Sequence, residues 1–415
     1  MNQHTASTTF ERDQADDAVV REEHWRRPAV NNEARLLFAL AHQKALPSLG
    51  HLPTTVADWQ RVLHLAMDEN ALVPLRNGLR HAAPAVVPIE VERQLAILSL
   101  DTEFRMRLLK KRLEQSLVAL NRANIDVLLL KGSALAATVY ESFEARPMRD
   151  IDMLVRPGQA EKAREIMLSV GWGVDPGVPD DLSYGTHQHL PPLRDLGGSG
   201  LHLEIHRSIL PARHPFRFTD DEIWDAACPV ALGAGRALVM HPTHHAVHIA
   251  IHFAWLHMMR VRAWTTFRDL HALACGDAFD WQRFASFATS IGASSCCYWA
   301  LRIGQELAGL MVPAAVMRQL EPRMPRLVRR SLAQHFINDV SRNQAACPAV
   351  RLGQALWTLA IQPDRHGHRG VRPWSVTIEL LDGIREMERR EEELAAESSL
   401  VKARRCAQYI SGILM

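Results

Sequence analysis

Asp150 and Asp152 carry the strongest chemical signal in the sequence, within the run Asp150–Val155 (DIDMLV). If that run is a strand, side chains two apart share a face. The two carboxylates then stand side by side, while Ile151 and Met153 turn into the core. Carboxylates that close repel one another and raise a pKa unless a cation sits between them. Hard oxygen donors of this kind suit Mg²⁺, which keeps waters and substrate phosphates as its other ligands. Acid–apolar–acid also occurs on solvated strand faces, so the pair has to be weighed with its surroundings. Upstream, LLLKGSALA places Gly132 and Ser133 where a strand meets a helix. Free backbone N–H groups at such a junction hold phosphate. Downstream, His202, Glu204 and His206 alternate with Leu203 and Ile205, which makes Glu204 a third carboxylate on one strand face.

These residues need elements to hold them. Ile125–Leu130 (IDVLLL) is a short, nearly continuous apolar run that reads as a buried strand, with a helix segment as the alternative. Ser133–Tyr140 reads as a helix opening behind it. Gln159–Val170 reads as a second helix, with Ala163, Ile166, Met167 and Val170 on one face and Gly171 as its stop. Tyr184–Leu193 and Leu201–Ser208 flank Gly197-Gly198-Ser199-Gly200 and read as antiparallel strands. The order strand, helix, strand, helix, strand, strand makes a small α/β unit of roughly 90 to 110 residues. Helical periodicity lies on both sides of it. Before it come Leu36, Leu37, Leu40 and Ala41, then Val62, Leu63, Leu65 and Ala66, then a stripe from Phe104 to Leu120. After it, the helical pattern resumes at about Pro242. Residues 1–32 read as a loose tail, Pro363–Pro373 as a loop and Ile384–Ala396 as a highly charged helix. The expected organisation is a tail (1–32), an N-terminal helical region (33–121), the α/β domain (122–235) and a C-terminal helical domain (236–415).

Val127–Val155, VLLLKGSALAATVYESFEARPMRDIDMLV, resembles the uncharacterised nucleotidyltransferase family of the DNA polymerase beta-like superfamily. In that superfamily a strand leads into a Gly-Ser or Gly-Gly turn and helix. An Asp-x-Asp strand follows, and a later strand brings a third acid. Those parts match Gly132-Ser133, Asp150 and Asp152, and Glu204 in LHLEIH. The Lys that recurs before the glycine matches Lys131, and the Arg-Pro shortly before the acid pair matches Arg146-Pro147. The resemblance extends over roughly residues 33–320, with His252 and Arg268-Asp269 in family-like surroundings. Two departures stand out: sixteen residues separate Ser133 from Asp150, and the third acid is Glu rather than Asp.

The resemblance implies an α+β fold, a small mixed-sheet polymerase beta-like nucleotidyltransferase domain flanked by N-terminal and C-terminal helical regions. It implies Mg²⁺-dependent transfer of a nucleoside monophosphate from an NTP, with ATP expected, and release of pyrophosphate. Asp150 and Asp152 would hold Mg²⁺, and Glu204 would complete a second metal site and act as general base. Two ions about 3.5 to 4 Å apart can stabilise attacking and leaving oxygens together. Gly132 and Ser133 would cradle the β- and γ-phosphates, while Lys131 or Arg146 would add positive charge, Arg being suited to a bidentate grip. The acceptor is not legible beyond a small molecule, peptide or sugar.

Two other readings stay open. One is a non-catalytic nucleotide-binding or scaffold protein of the same fold. The other is a metal hydrolase built on His241, His244, His245, His248, His252 and His257, in a chain with 21 histidines. His244, His248 and His252 step by four, as zinc-binding pairs on a helix do, but no HExxH accompanies them. Buried histidines hydrogen-bonded to backbone or acids are the favoured reading of that cluster. His187 and His189 are weaker candidates for the same cleft. Arg323, Arg326, Arg329 and Arg330 form a basic helix face that lacks interleaved aromatics for base stacking.

Composition narrows the classes further. The 415 residues carry 48 Lys+Arg against 46 Asp+Glu, a net charge of +2, which argues against a duplex-binding protein. With 47% hydrophobic and 23% charged residues the chain is neither globally disordered nor membrane-embedded. No apolar stretch approaches the about 18 to 20 residues that span a bilayer. The polar, acidic N-terminal stretch does not read as a signal peptide. Six cysteines form no CxxC pair, and Cys296-Cys297 reads as core. The expectation is a soluble cytoplasmic protein.

Overall fold

Strand alternation sorts this chain into two cores on either side of one sheet. The computed structural model describes residues 32–39, 53, 55–82, 87–175, 184, 187–212, 214–341, 350–361 and 399–414. The tail expected at 1–32 (Asn32 apart), the loop Pro363–Pro373 and the charged helix Ile384–Ala396 lie outside the described residues. The fold class is α+β. Seven strands form a single mixed sheet: β1 (Leu128–Leu129), β2 (Asp150–Leu154), β3 (Trp172–Val174), β4 (Leu193–Asp195), β5 (His202–His206), β6 (Cys228–Leu232) and β7 (Gly235–Val239). Their order is β3-β4-β5-β2-β1-β7-β6. β2 runs parallel to β5 and β1 parallel to β7; the remaining pairs are antiparallel.

On one face Leu129, Ile151, Met153, Leu203 and Ile205 pack with Leu109, Leu113 and Leu117 of the long helix Ile89–Arg122, and with Ala163 and Met167 of the helix Ala160–Ser169. Their neighbours Leu128, Leu130 and Leu154 turn the other way. They join a second core shared with the N-terminal helices and with the helices that follow Pro242. Period-two alternation places Asp150 and Asp152 on this second face with Leu154. The helical tail therefore roofs the side of the sheet that carries the acids.

Helices precede and follow the sheet-forming segment. The N-terminal side has Asn32–Ala39, Val56–Asp68, Leu72–Ala82 and Ile89–Arg122. Thr55 and Asp58 close a capping box on the second of these, satisfying two orphan donors reciprocally. The tail starts with the helix Pro242–Ile251, with Pro242 in the first helical turn.

Three strands differ from the sequence reading. β3 is only three residues long, too short for a periodic signal. β6 and β7 form a hairpin in CPVALGAGRALV that small residues disguise. Pro229 is tolerated there because β6 is the sheet edge. Gly233 turns the hairpin at φ +57, and a Cβ at that position would lie 1.8 Å from the Glu114 carboxylate. Glu114 in turn accepts the Ala234 N–H at 3.0 Å, tying the hairpin to the long helix. The strand expected at Ile125–Leu130 shortens to β1, the one expected at Tyr184–Leu193 gives way to β4, which starts only at Leu193, and His189 keeps an isolated bridge to His206. Among the described residues no helix is long and apolar enough to cross a membrane.

Candidate active site

The register of β2 against β5 assembles the acids. Asp150 lies beside His202, Asp152 beside Glu204 and Leu154 beside His206. Adjacent residues in register project to one face, so the three carboxylates form a patch across two strands. All three line a cavity of about 280 Å³, together with Lys131 and Gly132 from the strand-to-helix turn. His248, His252, His257 and Arg262 face them from the helical tail. A larger, more open hollow of about 600 Å³ along Lys111–Arg122 contains Glu114 as the only acid among its lining residues.

Two donors compete for the acids. Lys131 Nζ donates to Asp152 Oδ1 at 2.8 Å. His206 Nε2 lies 3.0 Å from the same oxygen and 3.4 Å from Glu204 Oε2. An ionised carboxylate only accepts, so Nε2 carries the proton. Burial alone would raise the Asp152 pKa, but the Lys131 charge and the His206 hydrogen bond outweigh it and hold Asp152 well below the usual range. Burial likewise works on Glu204, and the bond from His206 brings it below its ordinary value. Asp150 has no hydrogen-bond or ion-pair partner among the described residues. Burial, then the charges of Asp152 and Glu204, push it up to about 6. Neighbouring carboxylates with opposed shifts are a mark of functional sites.

The turn ahead of the helix Lys131–Thr138 is tight. Lys131 has φ +45, a left-handed conformation that costs a non-glycine residue energy. A Cβ on Gly132 would lie 3.3 Å from Met148 Sδ and 3.4 Å from Arg146 Nη1, so glycine permits the close packing. The first N–H groups of this helix have no intrahelical acceptor and are free to meet an anion. Ser133 is fully buried, with its hydroxyl donating to Met148 Sδ at 3.6 Å.

Arg146 sits differently from a phosphate grip. Its Nε and Nη2 donate to Asp269 Oδ1 and Oδ2 at 2.7 and 2.8 Å, and Nη1 donates to the Pro147 carbonyl at 2.7 Å. The Tyr140 hydroxyl donates to the same Asp269 Oδ1 at 2.6 Å. Arg268 donates to the Ala145 carbonyl and lies over the Tyr140 ring. The guanidinium is thereby a strap between the segment leading into β2 and the helix Ala263–Ala274.

The histidines divide. His241 caps its helix by accepting the Thr243 N–H, and His244 packs on Phe287 with ring centroids 4.3 Å apart. His248 is 1% exposed, yet neither ring nitrogen has a hydrogen-bond partner among the described residues. The expectation of hydrogen-bonded structural histidines is therefore corrected at His248. A π-helical turn, His252–Leu256, follows and brings the His252 and His257 rings to 4.3 Å, edge to face. Burial keeps these imidazoles neutral, with His248 and His257 pulled down to about 3.

The metal-competent cluster lies on the sheet instead. Among the described residues, Asp152, Glu204 and His206 present ligand atoms within 4.8 Å of one another, and the histidine ladder forms no such group. With Asp150 in the same cavity, this donor set of carboxylates plus one imidazole fits a divalent cation. His206 is the functional candidate that sequence reasoning passed over; its signal was the alternation in LHLEIH. His189 also reaches the site, with Nε2 3.9 Å from Glu204 Oε2.

A family model described as an uncharacterised nucleotidyltransferase matches residues 55–309, well over half of the chain. The chain belongs to that family. No curated protein and no solved structure matches it. The nucleotidyltransferase match takes in both walls of the cavity, from Lys131, Gly132 and the three acids to His248, Arg262 and Asp269. Nucleotidyl transfer is thus the general chemistry attached to the family.

Proposed function

We propose that this nucleotidyltransferase moves a nucleoside monophosphate from an NTP, ATP first among them, to a hydroxyl of a small molecule, peptide or sugar. The observation that carries this reading is the shared cavity of Asp150, Asp152, Glu204 and the Gly132 turn. Asp150, Asp152 and Glu204, with His206 beside them, would hold Mg²⁺, which supplies charge neutralisation at the polyphosphate and at the α-phosphorus. Backbone N–H groups of Gly132 and Ser133 receive phosphate oxygens at the helix N-terminus. The acceptor oxygen bonds to the α-phosphorus as the α–β bridging bond breaks, and pyrophosphate leaves. Glu204 takes the acceptor's proton, with His206 and His189 near enough to relay it. Lys131 keeps Asp152 ionised through the reaction, and Arg146 positions the approach to Asp150 without touching substrate.

The test is incubation with NTPs labelled at the α- or γ-phosphorus in the presence of a cell extract. Label from the α-position should enter a product while γ-label leaves with pyrophosphate; transfer of γ-label instead would sink the reading. Asp150→Ala should fold as the wild type and lose transfer altogether.

A further inference from the structure

Three basic side chains line the cavity: Lys131, Arg146 and Arg262. Lys131 is bound to Asp152 and Arg146 to Asp269. The Arg262 guanidinium has no hydrogen-bond or ion-pair partner among the described residues and is half-buried. A guanidinium offers five donors in a rigid fork, and a half-buried one facing a cavity with none engaged awaits an acceptor.

Its backbone is anchored while its head is free. Arg262 has φ +61, and Met258 and Met259 just before it have φ +51 and +57. Three left-handed non-glycine residues so close together are costly and persist only where packing over-determines them; here Met258 and Met259 are both buried. The Arg262 carbonyl accepts the Thr266 N–H at 2.9 Å, opening the helix Ala263–Ala274. That helix is pinned by the Thr265 hydroxyl on the Glu69 carbonyl and by Asp269 on Arg146. The charge of Arg262 acts on Asp150 across the cavity and on His257 beside it. It therefore stands between the acid patch and the neutral histidine wall.

Resting on the transferase reading, we propose that Arg262 grips the terminal phosphates of the nucleotide, the portion released as pyrophosphate. A polyphosphate bound at the Gly132 turn has the acids on one side. Its far end needs a cation that no acid already holds, and Arg262 is the one lining residue that supplies it. The ligand class is an NTP, NDP or free pyrophosphate, with the nucleoside monophosphate lacking the group that Arg262 holds.

Equilibrium binding of NTP, pyrophosphate and NMP to the full chain with Mg²⁺ tests this, using wild type, Arg262→Gln and Arg262→Lys. Arg262→Gln should weaken NTP and pyrophosphate by about 10- to 100-fold, the size of a lost charge-assisted hydrogen bond. NMP affinity should stay within about twofold and the melting temperature should not move, since the side chain has no protein partner to lose. Arg262→Lys should fall between, keeping charge without the fork. Equal losses for NMP and NTP, or no loss for NTP, would overturn the assignment. So would a wild type that binds neither NTP nor pyrophosphate. Wild-type binding with the expected Arg262→Gln loss but no transfer of α-label would instead leave this assignment standing and remove the catalytic reading.

Discussion

Asp269→Ala is the sharpest test of how the cleft is held. The substitution removes the acceptor of three hydrogen bonds of 2.6 to 2.8 Å, two from Arg146 and one from Tyr140. Arg146 is 7% exposed, so its charge would be left buried with only the Pro147 carbonyl to bond. Removing one partner of a buried ion pair costs about 3 to 5 kcal/mol, and that is the expected loss for Asp269→Ala. Arg146→Met leaves the carboxylate its Tyr140 donor, so its loss should sit near the lower end, about 3 kcal/mol. The double variant Arg146→Met/Asp269→Ala buries no unpaired charge and should recover to within about 1 to 2 kcal/mol of wild type. Urea unfolding of the four proteins closes the cycle, and the coupling energy, the two single losses less the double's, should reach about 4 to 7 kcal/mol. Arg146→Lys should not rescue, because an ammonium cannot reproduce the two-pronged contact. A coupling below about 0.5 kcal/mol, or a double variant as unstable as the worse single one, refutes the strap.

Lys131→Met should lower stability by about 2 to 4 kcal/mol in metal-free buffer, because Asp152 loses an ammonium at 2.8 Å. Added Mg²⁺ or Mn²⁺ should restore more stability to this variant than to wild type; an equal gain in both removes the idea that ammonium and metal share a position. Neutral buried histidines should make the protein acid-sensitive. With folded values of about 3 for His248 and His257 and an unfolded value of 6.5, stability is fully present above pH 6.5. It is lost as pH falls below 6.5 toward the folded values, since the unfolded state then binds more protons. His248→Gln should reduce the slope of stability against pH between pH 6 and 5 by about 1.4 kcal/mol per unit, one proton's worth. An unchanged slope in urea melts would show that His248 is not neutral in the folded state.

Some of this site was open to sequence reasoning because its logic is local. Asp150 and Asp152 are two apart around an apolar residue, and strand alternation needs nothing more to align them. Gly132 follows an apolar run with only Lys131 between them. What remained hidden depends on distant pairings. The register that sets Asp152 against Glu204 comes from strand order, which no spacing encodes. The resemblance implied a phosphate role for Arg146, while its ion-pair partner, Asp269, lies 123 residues on, beyond the reach of any local motif. Arg262 was invisible because its significance is having no partner, a property only the fold reveals. Texture gave a small α/β unit between helical stretches, and the family resemblance supplied the α+β class. The β6–β7 hairpin was not legible, since Pro229 and Gly233 look like strand breakers until the edge position and Glu114 explain them.

The Lys131 ammonium on Asp152 has a consequence for the life of the protein in a cell. An acid cluster that brings its own counter-ion does not depend on metal supply to reach its folded shape. A zinc finger's folding waits for its ion, whereas here the balancing charge on Asp152 comes from the chain itself. The lysine thus supplies, within the folded chain, the charge that Asp152 would otherwise have to take from a metal.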